Sequence, residues 1–348
     1  MIKGAYYPSW DESLGPAGIQ TRYFTHIFYA FLNPEDGTFI FNITDDEARK
    51  LQTFTSTLRA KQPPVKTLFA VGGASAGTAV LSRMASKAQS RAAFIRSSIQ
   101  VARRFGFDGI DLDWEYPENQ THMDNFGTLL KKWRKEVQKE ATTTGRAPLL
   151  LTAAVYYAAV FPWGAHQAYP AASIKKNLDF INVMTYDYYG DWDTTATGAH
   201  AALYDPSPAA NVSGRAGLES WTRAGLPPRK LVMGVPLYGR TWTLANPSSS
   251  GIGARAVGVG RGEDGGILSY AQVVRYNRDN NARVEHDGTT VSVYSVAGNH
   301  WISYDDAWSV RRKIEYARSL GLGGYFFWDV CGDDQWIISR TASETWPA

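Results

Sequence analysis

Short apolar segments alternate with polar, helix-periodic segments along most of the chain. Strands that alternate with helices form parallel βαβ units, and eight such units close into a (β/α)8 TIM barrel. A length of 348 residues suits a barrel of this kind with an insertion. The pattern therefore predicts an α/β fold built on eight strands: Lys3–Tyr7, His26–Phe31, Lys66–Val71, Gly109–Asp113, Leu149–Val155, Phe180–Tyr186, Leu231–Pro236 and Gly324–Trp328.

A long segment separates the seventh strand from the eighth. It contains Gly/Ser-rich turns and then two short alternating runs, Arg283–Glu285 and Thr290–Ser295, on either side of an Asp-Gly pair. Asp-Gly between alternating runs favours a β-hairpin. We expect a small α+β insertion domain at residues 240–302, on the face where barrels carry their active sites. The catalytic barrel then consists of residues 1–239 and 303–348.

The fourth strand and its carboxyl end carry the most informative motif, FDGIDLDWEYP. Every second side chain of a strand shares a face, so Asp111, Asp113 and Glu115 point into the barrel together. Three inward acids cannot all stay ionised, because like charges at short range raise at least one pKa. Glu115 comes last, where barrels place catalytic residues, and a raised pKa makes it a candidate general acid. A Mg²⁺ or Ca²⁺ site made of the same carboxylates stays open as an alternative.

Charge and cysteine content argue against several other classes of protein. The chain has 36 Lys and Arg against 33 Asp and Glu, a formal net charge of +3 with no basic block, so we expect no nucleic-acid binding. The single cysteine, Cys331, cannot form an intramolecular disulfide and is expected to be a buried free thiol. No apolar run reaches the roughly 18 residues of a membrane span. The six histidines are scattered, so no metal site is expected from them.

Two glycine-rich motifs suggest other activities. GASAG at residues 73–77 matches the GxSxG nucleophile elbow of serine hydrolases, with Ser75 as the nucleophile. GRGEDG at residues 260–265 matches the dinucleotide-binding GxGxxG, but it neither follows a convincing strand nor opens a helix. The acidic motif explains more of the sequence, so we interpret the turn around Ser75 as tight packing beside a ligand and keep the serine hydrolase as an alternative.

With Asp108 in front of them, the three acids complete a DxxDxDxE motif, and the chain resembles glycoside hydrolase family 18. The resemblance covers nearly the whole chain and is strongest to plant class V chitinases, through DGIDLDWEYP, INVMTYDYYG and NHWISYDD. It implies a retaining endo-chitinase that cleaves β-1,4-linked N-acetylglucosamine polymers without metal or cofactor. It also implies a secreted (extracellular or vacuolar) monomer of plant defence that binds chitin and chito-oligosaccharides, with its signal peptide absent from this sequence.

The same resemblance implies roles for individual residues. Glu115 protonates the glycosidic oxygen, while the acetamido oxygen of the substrate attacks C1 to give an oxazolinium ion. Asp113 turns from Asp111 towards Glu115 and stabilises that ion, and Tyr186 hydrogen-bonds the acetamido oxygen. Trp328 forms the floor under the distorted sugar. Further residues are expected along the cleft: Tyr6, Phe31, Gly72, Gly73, Met184, Asp187, Tyr238 and Arg240.

Aromatic residues make up 13% of the chain, more than a core alone requires. Phe161, Trp163 and Trp192 lie in loops after the fifth and sixth strands, and we expect them to stack on leaving-side sugars, with packing among the loops as the alternative. Ala74 stands where many relatives have Trp, so the acceptor side is expected to be weak or unusual. This leaves the balance between hydrolysis and transglycosylation open.

Two other functions stay open at this point. One is an inactive, chitin-binding, lectin-like protein, although such proteins typically lack the acid that Glu115 provides here. The other is an endo-β-N-acetylglucosaminidase acting on N-glycans, which shares the acidic motif but not the close resemblance to class V chitinases.

Overall fold

The computed structural model describes residues 1–162, 167–207 and 212–347. Within these ranges, eight strands pair in parallel and close a barrel. They are β1 (Ile2–Pro8), β2 (His26–Ala30), β3 (Lys66–Gly72), β4 (Gly109–Asp113), β5 (Leu150–Tyr156), β6 (Phe180–Met184), β7 (Leu231–Pro236) and β14 (Gly324–Trp328). Around the barrel each strand from β1 to β7 lies beside the next, and β14 closes the circle between β7 and β1.

The predicted barrel is confirmed, and the strand ends differ from the prediction by one or two residues at most. The largest difference is at β6, which ends at Met184 instead of Tyr186. The reason is local: Asp187 has a φ of 59°, a left-handed conformation that no strand continues through.

Helices between the strands cover the outside of the barrel. The long helix after β4 begins directly behind the acidic motif, where the Asn119 side chain accepts a hydrogen bond from the His122 amide at 2.9 Å. It ends at Gly145, which is left-handed as helix C-caps commonly are. In the described ranges, the helices of the barrel are α1 (Asp45–Ala60), α2 (Thr78–Ser86), α3 (Ala88–Phe105), α4 (Gln120–Thr144), α5 (Ala171–Asn177), α6 (Gly214–Arg223), α8 (Ala307–Ser319) and α9 (Ile337–Thr345), whereas α7 (Tyr270–Asp279) belongs to the insertion.

The barrel strands separate two apolar layers. Ile110 and Leu112 of β4 face outward and are buried against the helices. The inside of the barrel is filled by residues such as Tyr6, Phe28 and Phe326. Alternation along β4 therefore sends its aliphatic side chains into the helix layer and its acids into the barrel, as the sequence pattern predicts.

An antiparallel sheet lies between β7 and β14 in the chain and forms the expected insertion domain. Its strands are β8 (Tyr238–Leu244), β9 (Ala256–Val259), β10 (Ile267–Ser269), β11 (Arg283–Asp287), β12 (Ser292–Ala297) and β13 (His300–Tyr304), with α7 in the connection from β10 to β11. The sheet order is β10-β8-β13-β12-β11, and β9 pairs with β8. The predicted β11–β12 hairpin is present. Because β11 continues through Asp287, the turn consists of residues 288–291 and begins at the glycine of the Asp-Gly pair.

A buried ion pair joins this insertion to the barrel. Lys313 of α8 contacts both carboxylate oxygens of Asp305, at 2.7 and 2.5 Å, and donates to the carbonyl oxygen of Ala201 at 2.5 Å. The side chains of the pair are 2% and 1% exposed. Because Asp305 follows β13 and Ala201 lies in the loop after β6, one ammonium group holds three parts of the chain together.

We expect the Asp305→Ala substitution to lower the free energy of unfolding by about 3–5 kcal/mol, because it leaves the Lys313 charge buried without a partner. Chemical unfolding followed by tryptophan fluorescence measures this change. Asp36→Ala is the control, since it breaks the exposed Arg83–Asp36 pair and should hardly move the midpoint. Equal stability of the two variants would contradict the role assigned to Lys313.

Candidate active site

A cavity of about 810 Å³ opens at the carboxyl end of the barrel strands. This is the end where barrels of this type carry their active sites, and the volume suits a ligand of several hundred daltons. Barrel strands, their following loops and the insertion domain all contribute to its wall. The lining includes Tyr6, Trp10, Phe31, Asp113, Glu115, Met184, Tyr186, Asp187, Tyr238, Arg240, Glu263, Asp264 and Trp328.

Asp111 lies at the inner end of the acidic motif and is completely buried. Its Oδ2 accepts a hydrogen bond from the Tyr6 hydroxyl at 2.7 Å, and its Oδ1 accepts one from the Thr152 hydroxyl at 2.5 Å. Asn182 in turn donates to the Tyr6 oxygen at 2.9 Å. Burial raises the pKa of Asp111 to about 6, although both hydrogen bonds act to lower it.

The carboxyl groups of Asp113 and Glu115 interact directly at the outer end of the motif. Burial, followed by the charges of Glu115 and Asp111, raises the pKa of Asp113 well above its usual range. Burial and the charge of Asp187 raise the pKa of Glu115 to about 7. Because the two carboxyl groups titrate together, they hold a shared proton near neutral pH. Glu115, which lines the cavity, can deliver that proton to a ligand.

One atom of this pair has capacity for a ligand. Asp113 Oδ1 is buried and has no hydrogen-bond partner among the residues that the structure describes. A buried acceptor without a donor destabilises the empty site and favours a ligand that carries an N–H group. The position of Asp113 in the cavity lining makes such a contact possible.

Asp187 provides a carboxylate of a different kind. Its Oδ1 accepts hydrogen bonds from the Tyr238 hydroxyl at 2.7 Å and from Arg240 Nε at 2.6 Å. Burial alone would raise the pKa of Asp187, but the facing His200 and Arg240 hold it well below its usual range. Asp187 is therefore ionised beside Glu115, and its ion pair with Arg240 connects the barrel to the insertion domain.

Tyr186 and Met184 line the cavity between Asp187 and the barrel interior. The Tyr186 ring packs edge-on against Tyr238 and Phe326, with centroids 6.2 and 6.1 Å away. A Cβ at Gly234 would lie 2.7 Å from this ring, so the ring position requires glycine there. Burial raises the pKa of Tyr186 well above its usual value, which keeps the hydroxyl protonated as a hydrogen-bond donor.

A row of aromatic rings runs along one side of the cavity. Trp328 stacks on Phe31 at a centroid distance of 5.7 Å, and Phe31 stacks on Trp10 at 6.0 Å. Tyr6 also packs against Trp328, at a centroid distance of 5.5 Å. Trp10, which is 61% exposed at the end of the row, was not predicted from the sequence. Its position two residues after β1 is the signal that could have found it.

The paired glycines contribute through packing instead of by lining the cavity. Gly72 and Gly73 have φ values of 115° and 83°. A Cβ on Gly72 would overlap the carbonyl of Asp113, and one on Gly73 would overlap the Phe31 ring. The Gly73 amide donates to the Asp113 carbonyl at 2.8 Å. The two glycines thus let the turn after β3 support two cavity residues, while Ala74 and Ser75 form the adjoining wall.

The three aromatic residues expected on the leaving side have different positions. Phe161 is 1% exposed and packs on Tyr156 at a centroid distance of 4.8 Å, so contrary to the prediction its ring is closed to a sugar. Trp163 lies outside the described residues. Trp192 is 59% exposed, and the guanidinium of Arg240 lies 4.7 Å from its ring centroid, next to the cavity.

Both glycine-rich motifs contribute to the same cavity. Ser75 lines it, but the described part of the lining contains no histidine that could serve as the base of a serine hydrolase. Glu263 and Asp264 of the GRGEDG motif also line it, from a turn before β10. Glu263 and Asp264 were not predicted to line the cavity, because the GRGEDG motif was interpreted only as a possible nucleotide-binding loop.

Cys331 is a free thiol, as predicted, but it is only half-buried and lines the cavity near Trp328. Burial, together with the neighbouring Asp329 and Asp11, raises its pKa far above the usual value, so the thiol is not a nucleophile at neutral pH. In the described ranges, including this cavity, no group of three or more His, Cys, Asp or Glu side chains is arranged to hold a metal ion. None of the helices in these ranges is long and apolar enough to cross a membrane.

Comparison with known proteins gives one consistent result. The family model for glycosyl hydrolases family 18 matches residues 3–333. The chain is 47% identical over 350 residues to class V chitinase CHIT5b of Medicago truncatula, covering 99% of this chain and 90% of that protein. It is 46% identical over 353 residues to Nod factor hydrolase protein 1 of the same plant, with the same coverage of 99% and 90%. The solved class V chitinase of Nicotiana tobaccum in complex with NAG4 is 41% identical, with a TM-score of 0.95, covering 100% of this chain and 99% of that chain.

Replacing Asp187 by Asn should lower the pKa of Glu115, because the negative charge of Asp187 contributes to raising it. Titration of the ¹³C-labelled glutamate carboxyl groups by NMR measures the change directly in the free protein. Asp191→Asn is the matched control, since Asp191 lies 3.5 Å from Arg240 but is not among the groups that raise the pKa of Glu115. An unchanged Glu115 titration in Asp187→Asn would show that the two groups do not interact.

Proposed function

The chain belongs to glycosyl hydrolase family 18, and from this membership we propose that it is a retaining endo-chitinase acting on β-1,4-linked N-acetylglucosamine polymers. The observation that carries the proposal is that Asp113 and Glu115 of the DxxDxDxE motif both line the cavity at the carboxyl end of the barrel strands, where burial raises the pKa of each. A glycosidic oxygen is a poor leaving group until it is protonated, and Glu115 supplies that proton.

The nucleophile in this proposal is the acetamido oxygen of the substrate. Retaining enzymes that use a protein nucleophile hold their two carboxyl groups about 5–5.5 Å apart, on opposite sides of the scissile bond. Asp113 and Glu115 interact directly with each other, which leaves no room for a scissile bond between them. Asp187 has its Oδ1 engaged by Tyr238 and Arg240, which makes it a poor nucleophile.

Asp113 and Tyr186 hold the acetamido group for this attack. The unpartnered Oδ1 of Asp113 accepts the acetamido N–H, which increases the electron density on the attacking oxygen. The neutral Tyr186 hydroxyl donates to that oxygen and fixes its direction. When the proton has left Glu115, Asp113 stabilises the positive oxazolinium ion. Glu115, now a base, removes a proton from the incoming water, and the product keeps the β configuration.

The sugar chain contacts two kinds of surface in this cavity, the row of aromatic rings and a group of polar side chains. Trp328 lies under the sugar at the cleavage position, and Phe31 and Trp10 continue the apolar surface away from it. Arg240 and Asp187 bind hydroxyl and acetamido groups on the other side. Chitin is uncharged, so its affinity depends on stacking and hydrogen bonds instead of electrostatic steering. The reaction needs neither metal nor cofactor, because the acid and the nucleophile are both present in the complex.

We also propose that the protein is secreted and acts as a monomer. The sequence has three N-x-Ser/Thr sites, and at two of them, Asn42 and Asn119, the residue is exposed in the structure. Glycosylation at such positions is compatible with the fold. The chain itself supplies Asp113, Glu115 and Tyr186 to the cavity, which supports activity as a monomer.

The decisive test is Glu115→Gln with chitin hexasaccharide as substrate. We expect short β-anomeric products from the wild type and a loss of about 10²–10⁴-fold or more in kcat from the variant, because glutamine cannot donate the proton. Chromatography that separates anomers measures both. Glu118→Gln is the control, since Glu118 is an exposed glutamate three residues further on. A fully active Glu115→Gln variant, α-anomeric products or a wild type without turnover would each refute the proposed function.

Replacing Trp10 by Ala should raise KM for the hexasaccharide about two- to tenfold, the effect of losing one aromatic stacking contact worth roughly 0.5–1.5 kcal/mol. The kcat should stay nearly constant, because Trp10 lies two rings away from Trp328. Trp192→Ala is compared in the same assay. Its ring is already covered on one face by Arg240, so we expect a smaller change in KM. A larger effect at Trp192 than at Trp10 would favour Trp192 as the sugar platform.

A further inference from the structure

His200 is a fully buried histidine that does not belong to the cavity lining. Its Nδ1 lies 3.7 Å from Asp187 Oδ1, beyond hydrogen-bonding distance. Neither of its ring nitrogens has a hydrogen-bond partner among the described residues. Burying two polar atoms without partners destabilises a fold, and a leucine at this position would avoid that cost. The imidazole therefore needs an explanation other than stability.

The backbone around His200 is held rigidly. Its amide donates to the Ser303 hydroxyl at 3.1 Å, and its carbonyl oxygen accepts from the Tyr188 amide at 2.9 Å. The next residue, Ala201, is bound through its carbonyl by the buried Lys313. With these three anchors the imidazole has a fixed place behind Asp187.

His200 contacts both Asp187 and one of the groups that bind Asp187. The imidazole packs on the Tyr238 ring at a centroid distance of 5.2 Å, and the hydroxyl of that ring donates to Asp187 Oδ1. Arg240 is the other donor to the same oxygen. His200 thus lies behind the carboxylate, on the side away from the cavity.

We propose that His200 is a positioning residue for Asp187, whose neutral imidazole presents Nδ1–H to the carboxylate from inside the protein and sets the direction in which that carboxylate faces the bound sugar. A carboxylate group has about four acceptor positions, of which Tyr238 and Arg240 use two, and a small rotation of Asp187 shortens the 3.7 Å gap to a hydrogen bond. This inference rests on the proposed function, since it assigns His200 a role in the same reaction.

The charged groups around His200 favour the neutral form that this role requires. Asp187 and Arg240 face it from the cavity side, and Asp305 acts from the insertion side. Burial lowers the pKa of His200, and Arg240 acts in the same direction, whereas Asp187 and Asp305 oppose them. The net effect is a lowered pKa, which favours the neutral imidazole.

A matched pair of substitutions separates the polar role from the steric one. Asn and Leu have nearly the same size, and both lose the ring contact with Tyr238, but only Asn keeps an N–H near the position of Nδ1. We expect His200→Leu to lower kcat on chitin hexasaccharide about tenfold, a loss that corresponds to one hydrogen-bond contact. His200→Asn should retain most of the wild-type kcat. Thermal unfolding of both variants verifies that they are folded to the same extent.

The pH profile gives a readout that packing alone would not move. If Asp187 is held loosely, its charge raises the pKa of Glu115 less. The alkaline limb of the pH profile of kcat/KM should therefore move to lower pH by about half a unit in His200→Leu. The limb of His200→Asn should stay at the wild-type position. Equal kcat values and equal limbs in the two variants would overturn the proposal.

The tautomer of His200 in the wild-type protein tests the proposal even if both His200 variants fail to fold. In ¹⁵N NMR of the histidine rings, we expect His200 as the neutral tautomer with the proton on Nδ1, and a shift of that signal in Asp187→Asn. A proton on Nε2, with no response to Asp187→Asn, would contradict the proposal. This experiment needs no substrate, so it stays informative even if the wild type does not cleave the hexasaccharide, a result that would refute the proposed function instead.

Discussion

The interior of this barrel is organised around carboxyl groups that are kept close together away from water. Two like charges at such range in a medium of low dielectric constant repel each other strongly. Retaining a proton on one of the carboxyl groups removes this repulsion. The inner acid, Asp111, is stabilised by the hydroxyls of Tyr6 and Thr152, which come from strands far apart in the sequence. The outer pair has fewer donors and holds the proton instead. Reactivity at Glu115 follows from this unequal distribution of hydrogen bonds.

The same constraint explains which features were visible in the sequence. The alternation in β4 is a property of any strand, so the facing of Asp111 and Asp113 follows from their spacing, and Glu115 lines the same cavity from two residues beyond the end of the strand. The aliphatic partners of the acids in the helix layer follow for the same reason. Even the end of β4 at Asp113 agrees with the prediction, because the strands of a closed barrel have similar lengths.

Loop residues were harder to predict, since no periodicity relates their spacing to a direction in space. Trp10 and Asp264 line the cavity although neither was expected there, and Phe161 was expected there although it is buried. His200 could not have been found from its neighbours in sequence. Its relation to Asp187 depends on the loop after β6 folding back under Asp187, a long-range contact that hydrophobic pattern does not encode.

The Asp187 carboxylate receives both of its hydrogen bonds from β8, the first strand of the insertion domain. Only Leu237 separates the end of β7 from the beginning of that strand, so the sheet is a direct continuation of the barrel wall. The two units therefore cannot be exchanged independently in engineering or in evolution. A barrel shortened by residues 238–304 would keep Glu115 but lose Tyr238 and Arg240, which bind the neighbouring Asp187. An insertion transplanted to another barrel would need an aspartate at the equivalent position of that barrel.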